Sequence, residues 1–364
     1  MARDTVAHGS SSISSSPRLR PEVLRARIQT IRKQLGAKLL ILGHHYQHDS
    51  VIEFADLRGD SFLLARHAAE NKIAHYIVFL GVRFMAETAD IITSAQQTVI
   101  LPEPGAGCMM ADMANAQQVR ECWEVIQSRF NQEFIPITYV NSSAEVKAFC
   151  GKHGGLTCTS SSAVRIFRWA LAQGKRILFL PDEHLGRNTG RLVGISLEAM
   201  SVWDRHRQEL LGSSDPELIL WNGYCPIHAK FNPNQIYKLR QEHPGIQIIV
   251  HPECPHDTAK EADDSGSTEG IIGRIRAASP GSSWAIGTEI NLVRRLGKEH
   301  SEKNIRSLDE RVEPCSDMMK TTPVTLLWCL EGLLAGEIRN QITVDNEIAQ
   351  WARVAIERML KIGS

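Results

Sequence analysis

The chain has 364 residues, 43% of them hydrophobic, and its 41 Lys+Arg are balanced by 41 Asp+Glu. A formal net charge of zero argues against a nucleic-acid binder held by bulk charge. No run approaches the roughly 18–20 consecutive apolar residues that span a bilayer. The length suggests two or three domains, because single cores stop growing near ~250–300 residues.

Residues 1–20 read as a disordered tail. Ser10 to Ser16 are mostly serine and no apolar segment follows, unlike a secretory signal. An organelle transit peptide is the alternative, weakened by Asp4 and the short length. The expected compartment is the cytoplasm, where the eight cysteines stay reduced.

From residue 21 onward one order of features occurs three times. The first unit, 21–115, has an apolar run Leu39-Leu40-Ile41-Leu42 ending in Gly43-His44-His45-Tyr46. A short acidic helical piece follows, then the turn Gly59-Asp60-Ser61, a helix over Phe62–Asn71, and a strand at Val78-Phe79-Leu80-Gly81. The second unit, 116–228, repeats this with Ile135–Asn141, the turn Cys158-Thr159-Ser160, a helix over Ala163–Ala172 and a strand at Leu178–Asp182. The third, 229–330, has Ile248–Glu253, Gly266-Ser267-Thr268, Glu269–Ala278 and Trp284–Glu289. Each unit ends with a cysteine before another helix: Cys108, Cys225 and Cys315. The strand before Cys315 is poorly marked. Residues 331–364 form a C-terminal helical segment, opening at Val344-Asp345, that packs back on the core.

Apolar runs ending abruptly in polar residues are buried parallel strands whose carboxyl ends meet a crevice. The expected fold is therefore α/β, with three similar αβα domains whose parallel sheets surround a central site. Each turn supplies a hydroxyl, Ser61, Ser160 or Thr268, expected to cap a helix N-terminus. Free N–H groups there suit an acidic substrate. His44, Tyr46, Tyr139, Asn141, His251 and Glu253 would ring the same space, with proton donors and acceptors apt for carbonyl chemistry.

A single loop cysteine is ordinarily a small buried hydrophobe. Three at matching places favour a shared centre, and soft thiolates select zinc, copper(I) or iron–sulfur. Three thiolates would leave one iron of a [4Fe–4S] cluster open as a Lewis acid. Cys122, Cys150 and Cys329 lie in helical patterns and read as core. A separate metal site at Cys254 and His256 ranks below plain packing.

These residues together resemble the quinolinate synthase (NadA) family from about Pro21 to Ile362. The carrying motifs include Gly43-His44-His45-Tyr46-Gln47, Gly59-Asp60-Ser61, Phe84-Met85-Ala86-Glu87-Thr88-Ala89, Tyr139-Val140-Asn141-Ser142, Cys158-Thr159-Ser160-Ser161, His184-Leu185-Gly186-Arg187-Asn188, Gly223-Tyr224-Cys225 with His228, Val250-His251-Pro252-Glu253-Cys254 and Gly287-Thr288-Glu289. The resemblance implies pseudo-threefold symmetry and a [4Fe–4S] cluster on Cys108, Cys225 and Cys315. It implies condensation of iminoaspartate with dihydroxyacetone phosphate to quinolinate, releasing phosphate and water, for NAD biosynthesis. By the same resemblance His44, Ser61, Tyr139, Asn141, Ser160, His228, His251, Glu253 and Thr268 bind the substrates, with His228 near the cluster. Tyr46, His251 and Glu253 are then the expected proton-transfer groups. Transient partners would be an aspartate-oxidising enzyme and cluster-assembly proteins, with no nucleic acid and no membrane. The sequence departs from the family at His45, where Tyr or Asn is frequent, at Arg83, where His is frequent, and at Cys315, which lacks the neighbouring thiol pair of some relatives. An aconitase-like hydro-lyase using the same open iron on another hydroxy acid is the alternative enzyme. A non-catalytic iron–sulfur sensor would normally carry a basic nucleic-acid module, and none is present.

Overall fold

The computed structural model describes residues 20–363. The tail expected over 1–20 lies outside them except for Arg20, which heads the first helix. Three sheets organise the chain. The first contains β1 (Leu39–His44), β2 (Leu57–Gly59), β3 (Tyr76–Leu80) and β4 (Thr98–Ile100), in spatial order β2-β1-β3-β4. The second contains β5 (Phe134–Tyr139), β6 (Leu156–Cys158), β7 (Arg176–Leu180), β8 (Met200–Asp204), β9 (Glu209–Gly212) and β10 (Leu218–Trp221), ordered β6-β5-β7-β10-β8-β9. The third contains β11 (Gln247–Val250), β12 (Asp264–Ser265), β13 (Ser283–Gly287) and β14 (Asn304–Ser307), ordered β12-β11-β13-β14. One four-strand parallel order thus occurs three times. The antiparallel additions are β9 on β8, and β15 (Gln341–Ile342) on β4.

Helices cover the sheets in sets of four. The first set is α1 (Pro21–Leu35), α2 (Asp49–Ile52), α3 (Ser61–Glu70) and α4 (Arg83–Ile92). The second is α5 (Ala116–Arg129), α6 (Ala144–Lys152), α7 (Ala163–Ala172) and α8 (Glu183–Leu192). The third is α9 (Pro233–Glu242), α10 (His256–Glu261), α11 (Thr268–Ala277) and α12 (Ile290–Glu299), before α13 (Pro323–Leu334) and α14 (Asn346–Ile362). With helices on the sheet faces, the inner strands are buried almost throughout, which is why they read as continuous apolar runs.

Each cysteine loop follows one spacing. A 3₁₀ turn begins three residues after the cysteine, at Ala111, His228 and Met318. A helix begins eight residues after it, at Ala116, Pro233 and Pro323. That helix belongs to the next sheet. Val119, Cys122 and Ile126 of α5 pack with Phe134, Leu178 and Trp221 of the second sheet. Ile236 of α9 packs with Ile246 and Ile248 of the third. Leu326 and Leu330 of α13 pack with Leu24, Ile28 and Ile31 of α1 on the first. The ring of three sheets therefore closes on itself, with the cysteine loops as its joints.

α14 seats on α6 and also touches α4 and α7. It buries Ala352, Ala355, Ile356 and Met359. The contact needs glycine in α6, because a Cβ on Gly151 would stand 2.0 Å from the Trp351 carbonyl oxygen. Arg358 donates to the Gly155 carbonyl at 2.8 Å, and the Val344 amide donates to Asp90 at 2.9 Å. The C-terminal segment thus bridges the first two units.

The expected capping roles shift by a residue or two. Asp60, not Ser61, caps α3, accepting from the Leu63 amide at 2.9 Å. Ser267, not Thr268, caps α11, accepting from Gly270 at 3.2 Å. Ser160 lies in the turn before α7, whose N-cap position, Ser162, makes no side-chain cap bond. A capping side chain folds back onto its own helix. Ser61 and Thr268, one position further on, face the crevice instead.

Candidate active site

The carboxyl ends of β1, β5 and β11 open into one cavity, where the structure brings together all thirteen residues singled out from the sequence. His44, Tyr46 and Ser61 come from the first unit, Tyr139, Asn141 and Ser160 from the second, and His251, Glu253 and Thr268 from the third. Cys108, Cys225, Cys315 and His228 line the same space.

His44 and His251 are related by the repeat and held alike. The Tyr46 amide donates to His44 Nδ1 at 3.1 Å, and the Glu253 amide donates to His251 Nδ1 at 3.3 Å. Burial pushes both imidazoles down to about 3, His45 adding to the effect on His44 and Glu253 opposing it on His251. Both rings are therefore neutral at physiological pH, with the proton on Nε2.

Glu253 is the central charge. Tyr139 donates to its Oε1 at 2.6 Å. His228 Nδ1 stands 2.9 Å from its Oε2, close but without an aligned hydrogen bond. Burial pushes this carboxyl up, but His228, His251 and the Tyr139 hydroxyl outweigh it and hold the group below the usual carboxylate range. Burial, then the Glu253 charge, raises both Tyr46 and Tyr139 well above the ordinary phenol value, so both remain donors.

A chain of exchangeable protons crosses the cavity. Thr268 donates to the Tyr46 hydroxyl at 3.1 Å, which lies 2.8 Å from Thr288 Oγ1. Thr288 Oγ1 lies 3.1 Å from His228 Nε2, where the hydrogen-bonded chain ends, with the other face of His228 beside Glu253. Thr288, inside the Gly287-Thr288-Glu289 motif, had no role assigned from sequence. Its position just past the carboxyl end of β13 was the available signal. Glu289 was missed as well. It caps α12 and accepts from the Cys315 amide at 3.3 Å, and burial pushes its carboxyl up to about 7.

The three thiols share one setting. The backbone amides at the second and third positions after each cysteine act on its sulfur electrostatically: Met110 and Ala111 on Cys108, Ile227 and His228 on Cys225, and Asp317 and Met318 on Cys315. These N–H groups favour thiolate, while burial pushes Cys108 up to about 12 and raises the other two. Such sulfurs become thiolates when a cation arrives, releasing protons as it binds. N–H donors aimed at sulfur also suit a cluster. The donor set fits a metal centre, and Cys225, His228 and Glu253 offer ligand atoms within 4.8 Å of one another. The remaining cysteines are buried outside this cavity. Cys254 and His256 form no joint site: Cys254 Sγ points at the Gly287 carbonyl at 3.6 Å, and His256 Nδ1 bonds Asn188 at 2.8 Å.

Asn141 Oδ1 is buried in the cavity without a hydrogen-bond partner among the described residues, an acceptor left for a ligand. Among the described residues no Lys or Arg lines the cavity. An acidic ligand would be met by the N-terminal ends of α3, α7 and α11, by hydroxyls and by imidazole N–H groups.

The family model of NadA, quinolinate synthetase A protein, matches residues 26–361. The quinolinate synthase of Bacillus subtilis (strain 168) is 52% identical over 342 residues, covering 93% of this chain and 93% of that protein. That of Geobacillus thermodenitrificans is 51% identical with the same coverage. The Streptomyces coelicolor quinolinate synthase is 49% identical over 350 residues, 93% of this chain and 88% of that protein.

Proposed function

The chain belongs to the quinolinate synthetase A family of NAD-biosynthetic enzymes, and we propose that it condenses iminoaspartate with dihydroxyacetone phosphate to quinolinate in the cavity between its three sheets. One phosphate and two waters balance the reaction, and no external oxidant or reductant is needed. The observation that carries this reading is the convergence of three matched strand ends and three matched cysteine loops on one space.

Cys108, Cys225 and Cys315 would hold a [4Fe–4S] cluster, whose open iron supplies Lewis acidity that makes hydroxide a better leaving group. The chain's own residues do the rest. The N-terminal ends of α3, α7 and α11, with Ser61, Ser160 and Thr268, hold the carboxylates and the phosphate. Neutral His44 and His251 donate from Nε2 to substrate oxygens. Asn141 Oδ1 accepts from the substrate nitrogen. Glu253, kept ionised, accepts a proton as the imine tautomerises, and Tyr46 and His228 return protons to departing oxygens along the relay through Thr288. Holding two small reactants together supplies proximity, and the buried walls shield the imine from hydrolysis.

The test is quinolinate formation by anaerobically loaded protein given dihydroxyacetone phosphate and freshly generated iminoaspartate. Product that disappears on exposure to air supports the reading. Absence of product from protein with confirmed iron and sulfide overturns it in favour of a hydro-lyase.

A further inference from the structure

Each strand-end loop at the cavity is gripped by a buried donor that bonds its backbone carbonyls, and two of the donors come from a different unit. Arg295, the sixth residue of α12 in the third unit, donates to the His45 and Gln47 carbonyls at 2.7 and 2.5 Å. These two carbonyls flank Tyr46 of the first unit. Arg295 Nε is itself held by Asp49 at 2.8 Å. Asn188, the sixth residue of α8 in the second unit, donates to the Pro252 and Cys254 carbonyls, both at 2.9 Å. These flank Glu253 of the third unit. The Asn188 oxygen is occupied by His256 Nδ1 at 2.8 Å, which fixes the amide orientation.

The rotation that relates these two grips places the third on the first unit's α4, facing the loop of Tyr139 and Asn141. The sixth residue of α4 is Thr88, whose hydroxyl turns back to the Phe84 carbonyl at 2.7 Å. Lys147 fills the role from α6: it is fully buried, donates to the Ser142 carbonyl and stands 5.5 Å over the Phe84 ring of α4.

We propose that Asn188 is a positioning residue for Glu253, and Arg295 its counterpart for Tyr46, so that these two proton-transfer side chains are each aimed by a helix of another unit. The proposal rests on the assignment of Glu253 and Tyr46 to proton transfer. The amide of Asn188 touches the backbone on both sides of Glu253 and nothing of the substrate space. Removing it leaves two buried carbonyls short of a donor and frees the loop to drift, and a drift near 1 Å costs about 100-fold in rate.

The experiment compares turnover of anaerobic, cluster-loaded full-length protein carrying Asn188→Ala, Glu253→Gln and both, with a second set of Arg295→Lys, Tyr46→Phe and both, and the cross pair Asn188→Ala/Tyr46→Phe. Asn188→Ala is expected to lower kcat by ~10–100-fold with KM and iron content little changed. The double variant Asn188→Ala/Glu253→Gln is expected within about twofold of Glu253→Gln alone, whereas Asn188→Ala combined with Tyr46→Phe multiplies the two losses. Multiplied losses in the Asn188/Glu253 pair, or a kcat for Asn188→Ala within about twofold of the parent, overturn the proposal. Parental turnover in Glu253→Gln would instead remove the assignment on which it rests. If Asn188→Ala does not fold, as judged by circular dichroism, the Arg295/Tyr46 set decides by the same criteria, since lysine keeps the positive charge on a single donor nitrogen that cannot reach both carbonyls as the guanidinium fork does.

Discussion

Acid should loosen this protein through the two histidines at the centre of its cavity. His44 and His251 are neutral in the fold and held near 3, chiefly by burial, against an ordinary value of 6.5. Between those values the unfolded chain binds protons that the folded chain does not. The stability these rings contribute is thus fully present above 6.5 and is lost as pH falls toward 3. At about pH 5 the unfolded ring lies about 1.5 pH units below its own pKa, worth about 2 kcal/mol per histidine. The assay is urea unfolding of metal-free protein followed by tryptophan fluorescence, since Trp203 and Trp221 are buried. Wild type and His44→Gln would be compared near pH 7.5 and near pH 5. His44→Gln should lose about 2 kcal/mol less than wild type between the two conditions. Equal losses in both proteins would show that the His44 ring takes up its proton in place, and would refute the neutral-imidazole geometry of the site.

Thr288→Val keeps the shape of the residue but removes the hydroxyl between Tyr46 and His228. It should lower kcat by ~10-fold or more, the worth of one buried hydrogen bond, and unchanged turnover would take the relay out of the mechanism. Cys225→Ala should abolish quinolinate formation while leaving the far-ultraviolet circular dichroism unchanged, and retained activity would remove that thiol from the centre. Gly151→Ala drives a methyl into the Trp351 carbonyl, so α14 should become sensitive to limited proteolysis. Parental resistance would mean that the α6–α14 contact yields without cost.

Much of the site was legible because strand ends announce themselves. The apolar run into Gly43-His44-His45-Tyr46 and its two counterparts mark where buried β1, β5 and β11 emerge, and the polar residues beyond them have only the crevice to face. The cysteine loops were legible by their recurrence. β14 was hidden because Asn304-Ile305-Arg306-Ser307 is an edge strand with one large apolar residue. Capping roles slipped by a residue because Asp60-Ser61 and Ser267-Thr268 each offer two competent oxygens, and only backbone geometry decides which folds back. Asn188, Arg295 and Lys147 were invisible in that role, since their partners are backbone carbonyls from which no side-chain pattern can be read. The seat of α14 on α6 likewise depends on Gly151, whose close contact is with the remote backbone of Trp351.

The most direct test of the account is an iron and sulfide count after anaerobic reconstitution of single Cys→Ala variants. Wild type, Cys158→Ala and Cys254→Ala should each bind about four irons, while Cys108→Ala, Cys225→Ala and Cys315→Ala should fall far below that with the fold retained. Full loading in any of the last three, or loss confined to the Cys158 or Cys254 variant, would contradict a centre held by the three matched loops.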